Sequence, residues 1–358
     1  MKGIYHRVLE QIHHGSAIVV ATVVRTSGST PQKPGSAAIF CETGLLAGTV
    51  GGGFLEREVQ HIAGNVLISG DSEQFYFNLD SEQGSSGAIC GGQAEILVDA
   101  NPSLHRAALE EMKDTLSERK DGFLLTGVSR KHAQGRTIKR YWIKSENPKD
   151  LPADMEQGFR NLIRDYLKLA LKDGYTEIDL HTIPHHQFEM AFLEYIHPRP
   201  QLVIAGGGHI GKALAHFGSL LDFEVTVVDD RHEFANSDYI PDADHFVVAP
   251  SGQAFNELKT GPGTYIVIAT RGHNHDGDAL RACIGSGADY IGMMGSRHKV
   301  QVMRNQFLEE GWATPEQWSA IHAPVGLDIG SKTVQEIAIS IAAQLVEVYN
   351  RKKKSHAK

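Results

Sequence analysis

The chain of 358 residues contains little cysteine. Its three cysteines, Cys41, Cys90 and Cys283, form no C-x-x-C pair, which argues against a disulfide framework and a structural zinc knuckle. No apolar run approaches the roughly 20 residues of a membrane span. The first residues follow an amphipathic helical period and not the pattern of a signal peptide. We therefore expect a cytoplasmic protein with no membrane partner.

Positive charge is also scarce. Lys and Arg number 35 against 43 Asp and Glu, which gives a formal net charge of −8. A surplus of negative charge disfavours binding along nucleic-acid phosphates, so we expect no nucleic-acid partner. The length exceeds that of one ordinary hydrophobic core, which predicts two or three domains.

Residues 201–231 carry the pattern of a nucleotide-binding βαβ unit. An apolar run leads into GGGHIG at 206–211, which fits G-x-G-x-x-G, and a second apolar run ends at an acidic residue 23 positions after the first glycine. The first glycine permits a tight turn, the second lets backbone amides approach a pyrophosphate, and the third allows helix and strand to pack closely. The acid can accept hydrogen bonds from a ribose diol and would repel a 2′-phosphate. The expected nucleotide contacts are Gly206, Gly208, His209, Gly211 and Asp229. The alternative is a Rossmann domain kept for packing or dimerisation without a ligand.

The order of apolar runs predicts an α/β chain, with an N-terminal α+β domain followed by a C-terminal Rossmann-like doubly wound parallel sheet. We place the domains at 1–100, 101–197 (an intermediate α/β segment and linker) and 198–358. Pro198-Arg199-Pro200 would be the hinge. Predicted C-terminal strands are 202–205, 224–229, 245–249, 264–269, 290–294 and about 321–325, before a last helix with a capping box at Thr333.

The first hundred residues predict strands at 18–24, 37–40, 45–47, 75–79 and 94–98, and a helix from about 53 to 67. The middle part predicts a helix near 103–119, strands near 123–128 and 137–143, and otherwise charged connections. Four histidines near its end fit no metal motif, and we expect them at the surface: His181, His185, His186 and His197.

Two glycine-rich segments of the first domain could together bind an anion. Residues 25–35 combine Arg25 and Lys33 with turn-forming residues, and GTVGGGFLE at 48–56 places Gly51, Gly52 and Gly53 before a helix. Bare amides and the helix dipole would act from one side and the cationic side chains from the other. Glu56, in the first helical turn, is a second candidate contact or a cap for exposed amides. The alternative for both segments is a pair of tight turns.

Cys90 lies in Ile89-Cys90-Gly91-Gly92, where glycines expose the backbone and leave room around a thiol. A thiolate there could act as nucleophile, sulfur carrier or soft-metal ligand. A small buried residue is the plainer interpretation. Cys41 and Cys283 are expected in the core.

The segment from Thr270 to Asp278 follows the fourth C-terminal strand and should face the ligand crevice. His273 and Asp276 are candidate ligand contacts, or caps of a helix that begins near Asp276. A metal held by His273, His275 and Asp276 is a further alternative, although a catalytic site needs a further protein ligand and a water, and the sequence points to no such ligand. Ser296 is the expected N-cap of the next helix, and Arg297 beside it could meet a phosphate.

In combination, these segments resemble the xanthine dehydrogenase accessory factor family, or XdhC/CoxI family. The resemblance rests on RTSGSTPQKPGSAAIF, GTVGGGFLE, CGG, VIAGGGHIGKALA, VTVVDDR, TRGHNHDGDAL, YIGMMGSRHK and PVGLDIGSKTVQEIAISIAAQL, in the family's order. It covers nearly the whole chain and is weakest in the middle third.

The resemblance implies a chaperone for the molybdenum cofactor, a molybdopterin. Such a protein protects this cargo while a cysteine desulfurase replaces an oxo ligand by sulfur, then passes it to a xanthine dehydrogenase-type apoenzyme. The first glycine loops would hold the phosphate, and Cys90 would contact molybdenum or carry sulfur. Members of the family often have cysteine where this chain has Phe54, so an arrangement of two thiolates that uses this position is absent.

Three functions follow from these residues. The first is the cofactor chaperone without turnover, with a homodimer as a plausible shield for its cargo. The second is an NAD-dependent oxidoreductase, or a protein that binds another nucleotide, built on the Rossmann glycines and lacking an evident acid–base partner. The third is a metal-dependent hydrolase or nucleotidyl-transfer enzyme centred on His273, His275 and Asp276.

Overall fold

The structure is a computed structural model. It describes residues 3–79, 92–130, 132–133, 135–144, 151–152, 155, 157–180 and 187–356. The chain divides into two compact units, one within residues 2–198 and the other within 199–356. The predicted segments 1–100 and 101–197 both fall in the first unit. Among the described residues, no helix combines the length and apolar character needed to cross a membrane.

The N-terminal unit is built on two antiparallel sheets, whose strand orders are β3-β2-β1-β5-β4 and β7-β6-β9-β8. The strands are β1 (Val19–Gly28), β2 (Ala37–Cys41), β3 (Gly44–Gly48), β4 (Glu73–Asn78), β5 (Gly92–Asp99), β6 (Gly122–Ser129), β7 (Ile138–Ile143), β8 (Tyr175–Asp179) and β9 (Phe188–Ile196). The helices are α1 (Ile4–His13), α2 (Gly53–Ser69), α3 (Arg106–Ser117) and α4 (Gln157–Asp173), and a 3-10 turn spans Pro102–His105.

Both faces of the first sheet are buried. On β1, Val19, Ala21 and Val23 pack against α2. Val20 belongs to a second core that includes residues of α1, α3 and the other sheet. The remaining face of the second sheet packs against α4. Burial on both sides explains why β1 is a nearly continuous apolar run instead of an alternating one.

Two sequence predictions for this unit were wrong. Strand β1 continues through Arg25 to Gly28, where we expected a loop, because it pairs with β5 past an irregularity between Val23 and Arg25. Beyond residue 143 we expected only charged connections, yet α4, β8 and β9 lie there. The apolar residues of α4 are spread among charged ones, and tertiary packing decided the helix. His197 is exposed as expected, whereas His181, His185 and His186 lie outside the described residues.

The C-terminal unit confirms the predicted Rossmann fold. Its five strands are all parallel in the order β12-β11-β10-β13-β14. They are β10 (Gln201–Ala205), β11 (Glu224–Asp229), β12 (His245–Val248), β13 (Thr264–Ile268) and β14 (Tyr290–Met293). The helices are α5 (His209–Leu220), α6 (Ser251–Glu257), α7 (His273–Cys283), α8 (Arg297–Glu309), α9 (Pro315–Ser319) and α10 (Val334–His356).

Helices cover both faces of this sheet. Leu202 and Ile204 of β10 share a core with residues of α5 and α10, and the alternate residues Val203 and Ala205 share one with residues of α6, α7 and α8. The predicted capping box starts α10: Thr333 Oγ1 accepts from Glu336 N at 3.3 Å, and Glu336 Oε2 accepts from Thr333 N at 3.0 Å.

The predicted sixth strand near 321–325 was wrong in extent. It is reduced to a single parallel bridge between His322 and Gly292 of β14. Pro324 lies two residues after His322 and has no N–H with which to continue the ladder.

Candidate functional site

The C-terminal unit has an open cleft of about 440 Å³ at the carboxyl ends of its strands. The order of the strands reverses between β10 and β13, and ligands of parallel α/β sheets bind at such a switch point. The lining residues follow β10, β11, β13 and β14 in the chain: Gly206, Gly208, His209, Ile210, Asp229, Arg231, Ala269, Thr270, Arg271, Asp276, Met294, Gly295, Lys299 and Val334.

The three motif glycines meet different constraints at this cleft. Gly206 has φ +114°, and a Cβ on it would lie 2.3 Å from the carbonyl oxygen of Ala269. A Cβ on Gly211 would lie 1.9 Å from the carbonyl oxygen of Gly206, so the helix can approach the strand only because this residue is glycine. A Cβ on Gly208 would meet nothing within 4 Å. The first and third glycines therefore serve packing, and the second leaves bare backbone facing the cleft.

The N-terminus of α5 presents amides to the same space. The first backbone hydrogen bond of the helix runs from Lys212 N to Gly208 O at 2.8 Å, so the amides of His209, Ile210 and Gly211 have no partner within the helix. No side chain caps them. Unpaired amides and the positive end of the helix dipole suit an anionic group such as a diphosphate.

Asp229 is buried, with 5% of its surface exposed. Its Oδ1 accepts from Arg231 N at 3.0 Å and Arg231 Nε at 2.9 Å, and its Oδ2 accepts from Gly207 N at 2.9 Å and Arg231 Nη2 at 3.0 Å. Burial raises the carboxyl pKa, but the hydrogen bonds from Arg231 and Gly207 outweigh this and leave the pKa lowered. A carboxylate has about four acceptor positions, so every one is already used. The ribose-binding role of Asp229 stays a prediction, and it would require Arg231 to give way.

Arg231 is a cleft residue that sequence reasoning missed. Its guanidinium carbon lies 3.8 Å from the centroid of the Phe234 ring. The signal was present in the sequence as an arginine two positions after the acid and an aromatic residue three positions further on. Its neighbour Asp230 accepts a hydrogen bond from Arg271 Nη2 at 2.7 Å.

The same cleft is lined by a second buried acid. Asp276 is 1% exposed and accepts hydrogen bonds from the backbone and hydroxyl of Thr270 and from Lys299 Nζ. It thereby ties the loop after β13 to α8. Lys299, half-buried at the cleft, was also missed. Arg297, which we expected to meet a phosphate, is exposed and does not line this cleft. Ser296 caps α8 as predicted, accepting from Lys299 N at 3.2 Å.

The geometry does not support the alternative of a metal ion held by His273, His275 and Asp276. Asp276 is engaged by Lys299 and Thr270, and His275 is exposed. The side chain of His273 lies outside the described residues. Within the described part of the chain, no three His, Cys, Asp or Glu side chains are placed to hold a metal ion.

In the N-terminal unit, the two predicted glycine-rich segments meet. A Cβ on Gly51 would lie 2.8 Å from Cγ of Pro31, which belongs to the first segment. Gly51, Gly52 and Gly53 all have positive φ, which only glycine adopts readily. Gly52 is the N-cap of α2 and no side chain caps the helix. Glu56 is partly buried, and its Oε1 is buried without a hydrogen-bond partner.

The two cations expected beside this backbone differ in availability. Arg25 is hydrogen-bonded to both carboxylate oxygens of Glu177 and lies 3.3 Å from Glu95 Oε2. These contacts, above all the hydrogen bond to Glu177, raise its pKa and offset its charge. Lys33 is exposed. Of the two, Lys33 is the cation left to meet an anion from solvent.

Cys90 lies outside the described residues, and the nearest described residues on either side of it, Leu79 and Gly92, contact each other. Leu79 N donates to Gly92 O at 2.8 Å, and Gly92 pairs with Gly28 at the end of β1. A Cβ on Gly92 would lie 2.4 Å from Ser29 O. Gly92, two positions after Cys90, therefore lies beside the first glycine-rich segment. Cys283 is fully buried, and burial raises the pKa of its thiol to about 12, as expected of a core residue; Cys41 is half-buried.

Together, the parallel sheet and its glycine-lined crevice define a protein with a Rossmann domain. Two family descriptions match: "XdhC Rossmann domain" over residues 202–345 and "XdhC and CoxI family" over residues 11–78. The chain belongs to the XdhC and CoxI family, which confirms the resemblance inferred from its motifs.

Individual relatives agree with this assignment. The chain is 27% identical over 357 residues to a protein of Bacillus subtilis (strain 168) described as a probable xanthine dehydrogenase subunit, and the match covers 98% of each chain. It is also 39% identical over 153 residues to the uncharacterized protein YqeB of Escherichia coli (strain K12), and this match covers 42% of this chain and 28% of that protein. A crystal structure described as a xanthine dehydrogenase from Bacillus halodurans superposes with a TM-score of 0.75 at 22% identity, over 98% of this chain and 96% of that one. This last likeness shows the fold.

Proposed function

We propose that this protein is an accessory factor that binds the molybdenum cofactor and assists its sulfuration and its insertion into a xanthine dehydrogenase-type apoenzyme. A cysteine desulfurase would supply the sulfur, and the work would take place in the cytoplasm on a chaperone without turnover of its own. Membership of the XdhC and CoxI family supports the link to such an enzyme. The observation that carries the proposal is the contact between the two glycine-rich segments at the start of α2.

The start of α2 fits the phosphate of a molybdopterin. Gly52 and Gly53 would place no Cβ within 4 Å of another atom, so the backbone there is open to a ligand. The amides of the first helical turn lack hydrogen-bond acceptors within the helix. The oxygens of a phosphate would supply these acceptors. Lys33 on the first segment would add a positive charge from solvent.

Cys90 would act on the metal end of the same cargo. Gly92, two positions after Cys90, lies against Ser29, which belongs to the same segment 25–35 as Pro31, the residue that contacts Gly51. Since Phe54 stands where relatives often have cysteine, Cys90 would be the single thiolate contact in this part of the chain. A homodimer would shield an oxidation-sensitive cargo further.

Anaerobic equilibrium dialysis with molybdenum cofactor, read by metal analysis and pterin fluorescence, tests the proposal. We expect near-stoichiometric binding that is strongly weakened in Cys90→Ala and retained in Cys41→Ala, a matched control away from the loops. Lys33→Met should weaken binding of the phosphorylated pterin. Absence of binding by the unmodified protein would overturn the proposal.

A specific observation also supports a second candidate, an NAD-dependent oxidoreductase. Sequence reasoning offered only His273 or His275 as an acid–base partner for the Rossmann glycines, without supporting geometry. The structure supplies Lys299, held by Asp276 in the same cleft. A lysine so held can donate a proton to a carbonyl oxygen as hydride arrives. Substrate-dependent oxidation of NADH that disappears in Lys299→Met would establish this function, and its absence across small carbonyl substrates would leave the chaperone.

A further inference from the structure

The first glycine-rich segment, residues 25–35, rests on two side chains of the second sheet. A Cβ on Gly35, at its end, would lie 3.4 Å from Glu194 Oε1 and 3.7 Å from Cδ2 of Tyr175, so the backbone of this glycine packs closely on both. Tyr175 also donates a hydrogen bond to the carbonyl oxygen of Val24, just before the segment. The second sheet therefore positions the segment at both ends.

Glu194 is a buried acid, with 7% of its surface exposed. The Tyr5 hydroxyl of α1 donates to its Oε2 at 2.6 Å, and the guanidinium carbon of Arg140, on β7, lies 5.8 Å from the centroid of the same tyrosine ring. Burial opposes ionisation of the carboxyl and prevails over Tyr5 and Arg140, which favour it, so the pKa is raised to about 7. Tyr175 of β8 stays neutral, since burial raises its pKa well above the ordinary value. Glu194 can thus change its charge near neutral pH.

Arg140 is placed to respond to that charge. Its Nη2 lies 3.3 Å from Asp99 Oδ2, whereas its buried Nε and Nη1 have no hydrogen-bond partner among the described residues. Asp99 has further partners, since His105 Nε2 lies 3.2 Å from the same oxygen and Asn101 N donates to Oδ1 at 3.0 Å. A buried cation with unused donors is stabilised by a new negative charge nearby. An ionised Glu194 would supply the acceptor that the two nitrogens lack.

We infer that Glu194 and Arg140 form a pH-dependent switch that sets the position of the first glycine-rich segment. While Glu194 is protonated, Gly35 packs on a neutral group and Arg140 stays with Asp99. The amide of Gly35 already donates to Val23 O at 2.8 Å, so it offers no N–H to a carboxylate. When the proton leaves for solvent, Arg140 moves toward Glu194, and Gly35 gives up its contact with the newly charged group. The segment then loosens.

Movement of this segment would affect the proposed cargo site. The segment carries Lys33 and, through Pro31, the contact with Gly51. A looser segment would hold a phosphate at the start of α2 less firmly, so the cargo would be bound more tightly in slightly acidic conditions and released as the pH approaches 7. This consequence for the cargo rests on the proposed function. The movement itself can be measured without the cargo.

Hydrogen–deuterium exchange of the full chain tests the switch, read by mass spectrometry between about pH 5 and pH 8.5 and corrected for the intrinsic exchange rate. In the parent, protection of residues 29–36 should fall about tenfold as the pH rises toward 7 and level off above it, the effect of a pKa that is one unit lower in the loosened form. Strand β5 should keep its protection. Glu194→Gln stays neutral and keeps an acceptor for Tyr5, so its segment should remain protected over the whole range.

Glu177→Gln is the matched control, because it neutralises the acid that binds Arg25 at the other end of the segment. This variant should expose the segment at every pH and retain the fall in protection below pH 7. The inference is overturned by protection that does not vary with pH in the parent, by a fall that persists in Glu194→Gln, or by an equal fall in strand β5, which would show unfolding of the whole unit. Failure to bind molybdenum cofactor would remove the proposed function and leave the switch in place.

Discussion

Asp229 and Arg231, two residues apart at the end of β11, form a two-point ion pair in which each carboxylate oxygen also accepts a backbone N–H, from Arg231 or from Gly207. The acid that the fingerprint assigns to a ribose is thus used to hold an arginine and the glycine loop in place. What the cleft presents at this point is the guanidinium. The ion pair therefore contributes to the stability of the glycine loop, because Asp229 also accepts a hydrogen bond from Gly207 N.

Replacing Asp229 with alanine should destabilise the C-terminal unit. The change leaves the Gly207 amide and the Arg231 guanidinium without their acceptor, which should lower the free energy of unfolding by about 2 kcal/mol. Urea unfolding followed by circular dichroism measures it. Asp230→Ala is the control, since its partly exposed carboxylate pairs with an exposed arginine, and it should cost well under 1 kcal/mol. Equal losses in the two variants would refute a special role for Asp229.

Replacement by alanine should have different effects at Gly208 and at Gly211. A methyl group on Gly211 would collide with the carbonyl oxygen of Gly206, so Gly211→Ala should lower the free energy of unfolding by roughly 2 kcal/mol or more. Gly208 has φ −64° and free space around it, so Gly208→Ala should fold with unchanged stability and bind ADP more weakly. Thermal unfolding with ADP titration separates the two effects. A destabilised Gly208→Ala would show that this position serves packing instead.

The pair formed by Lys299 and Asp276 should show energetic coupling. Lys299→Met leaves a carboxylate with 1% exposure without its cation and should cost on the order of 3 kcal/mol. Adding Asp276→Asn should recover part of that loss, giving a coupling energy of about 1–3 kcal/mol in a double-mutant cycle of urea unfolding. Strictly additive losses would mean that the two side chains do not interact in solution.

Glu194 should make the stability of the N-terminal unit depend on pH. Burial raises the pKa of its carboxyl to about 7, although the Tyr5 hydroxyl, which donates to it at 2.6 Å, and Arg140 both act to lower it. The folded protein therefore retains a proton that the unfolded chain releases from about pH 4.3 upward. Its contribution to stability is full below that pH and is lost progressively as the pH rises to about 7.

Glu194→Gln removes this titration and keeps an acceptor for Tyr5. Relative to the parent, the variant should gain about 2–3 kcal/mol in unfolding free energy between pH 5 and pH 8. Urea unfolding at a series of pH values measures the difference. The pKa of Asp99 is lowered, so its contribution to the unfolding free energy is lost as the pH falls. This contribution is the same in the parent and in the variant. Parallel pH profiles would contradict the raised pKa.

Sequence patterns alone determined the class of the C-terminal unit. Its five parallel strands, the roles of Gly206 and Gly211, and the capping of α8 and α10 follow from local rules, because turn geometry, close packing and helix ends need particular residues at fixed spacing. The motifs also identified the family. Local patterns failed where burial decided the element, as in α4, β8 and β9.

Tertiary structure decided which site residues meet. Arg25 was expected to meet an anion but pairs with Glu177, 152 positions along the chain. Asp276 was expected to contact a ligand but pairs with Lys299. Asp229 was expected to contact a ribose but pairs with Arg231. Each of these carboxylates is buried or partly buried, and a charge removed from water takes the best counter-charge that folding brings near. That partner cannot be derived from the spacing of residues in the chain, so the sequence named the loops of the site while the fold settled which side chains face a ligand.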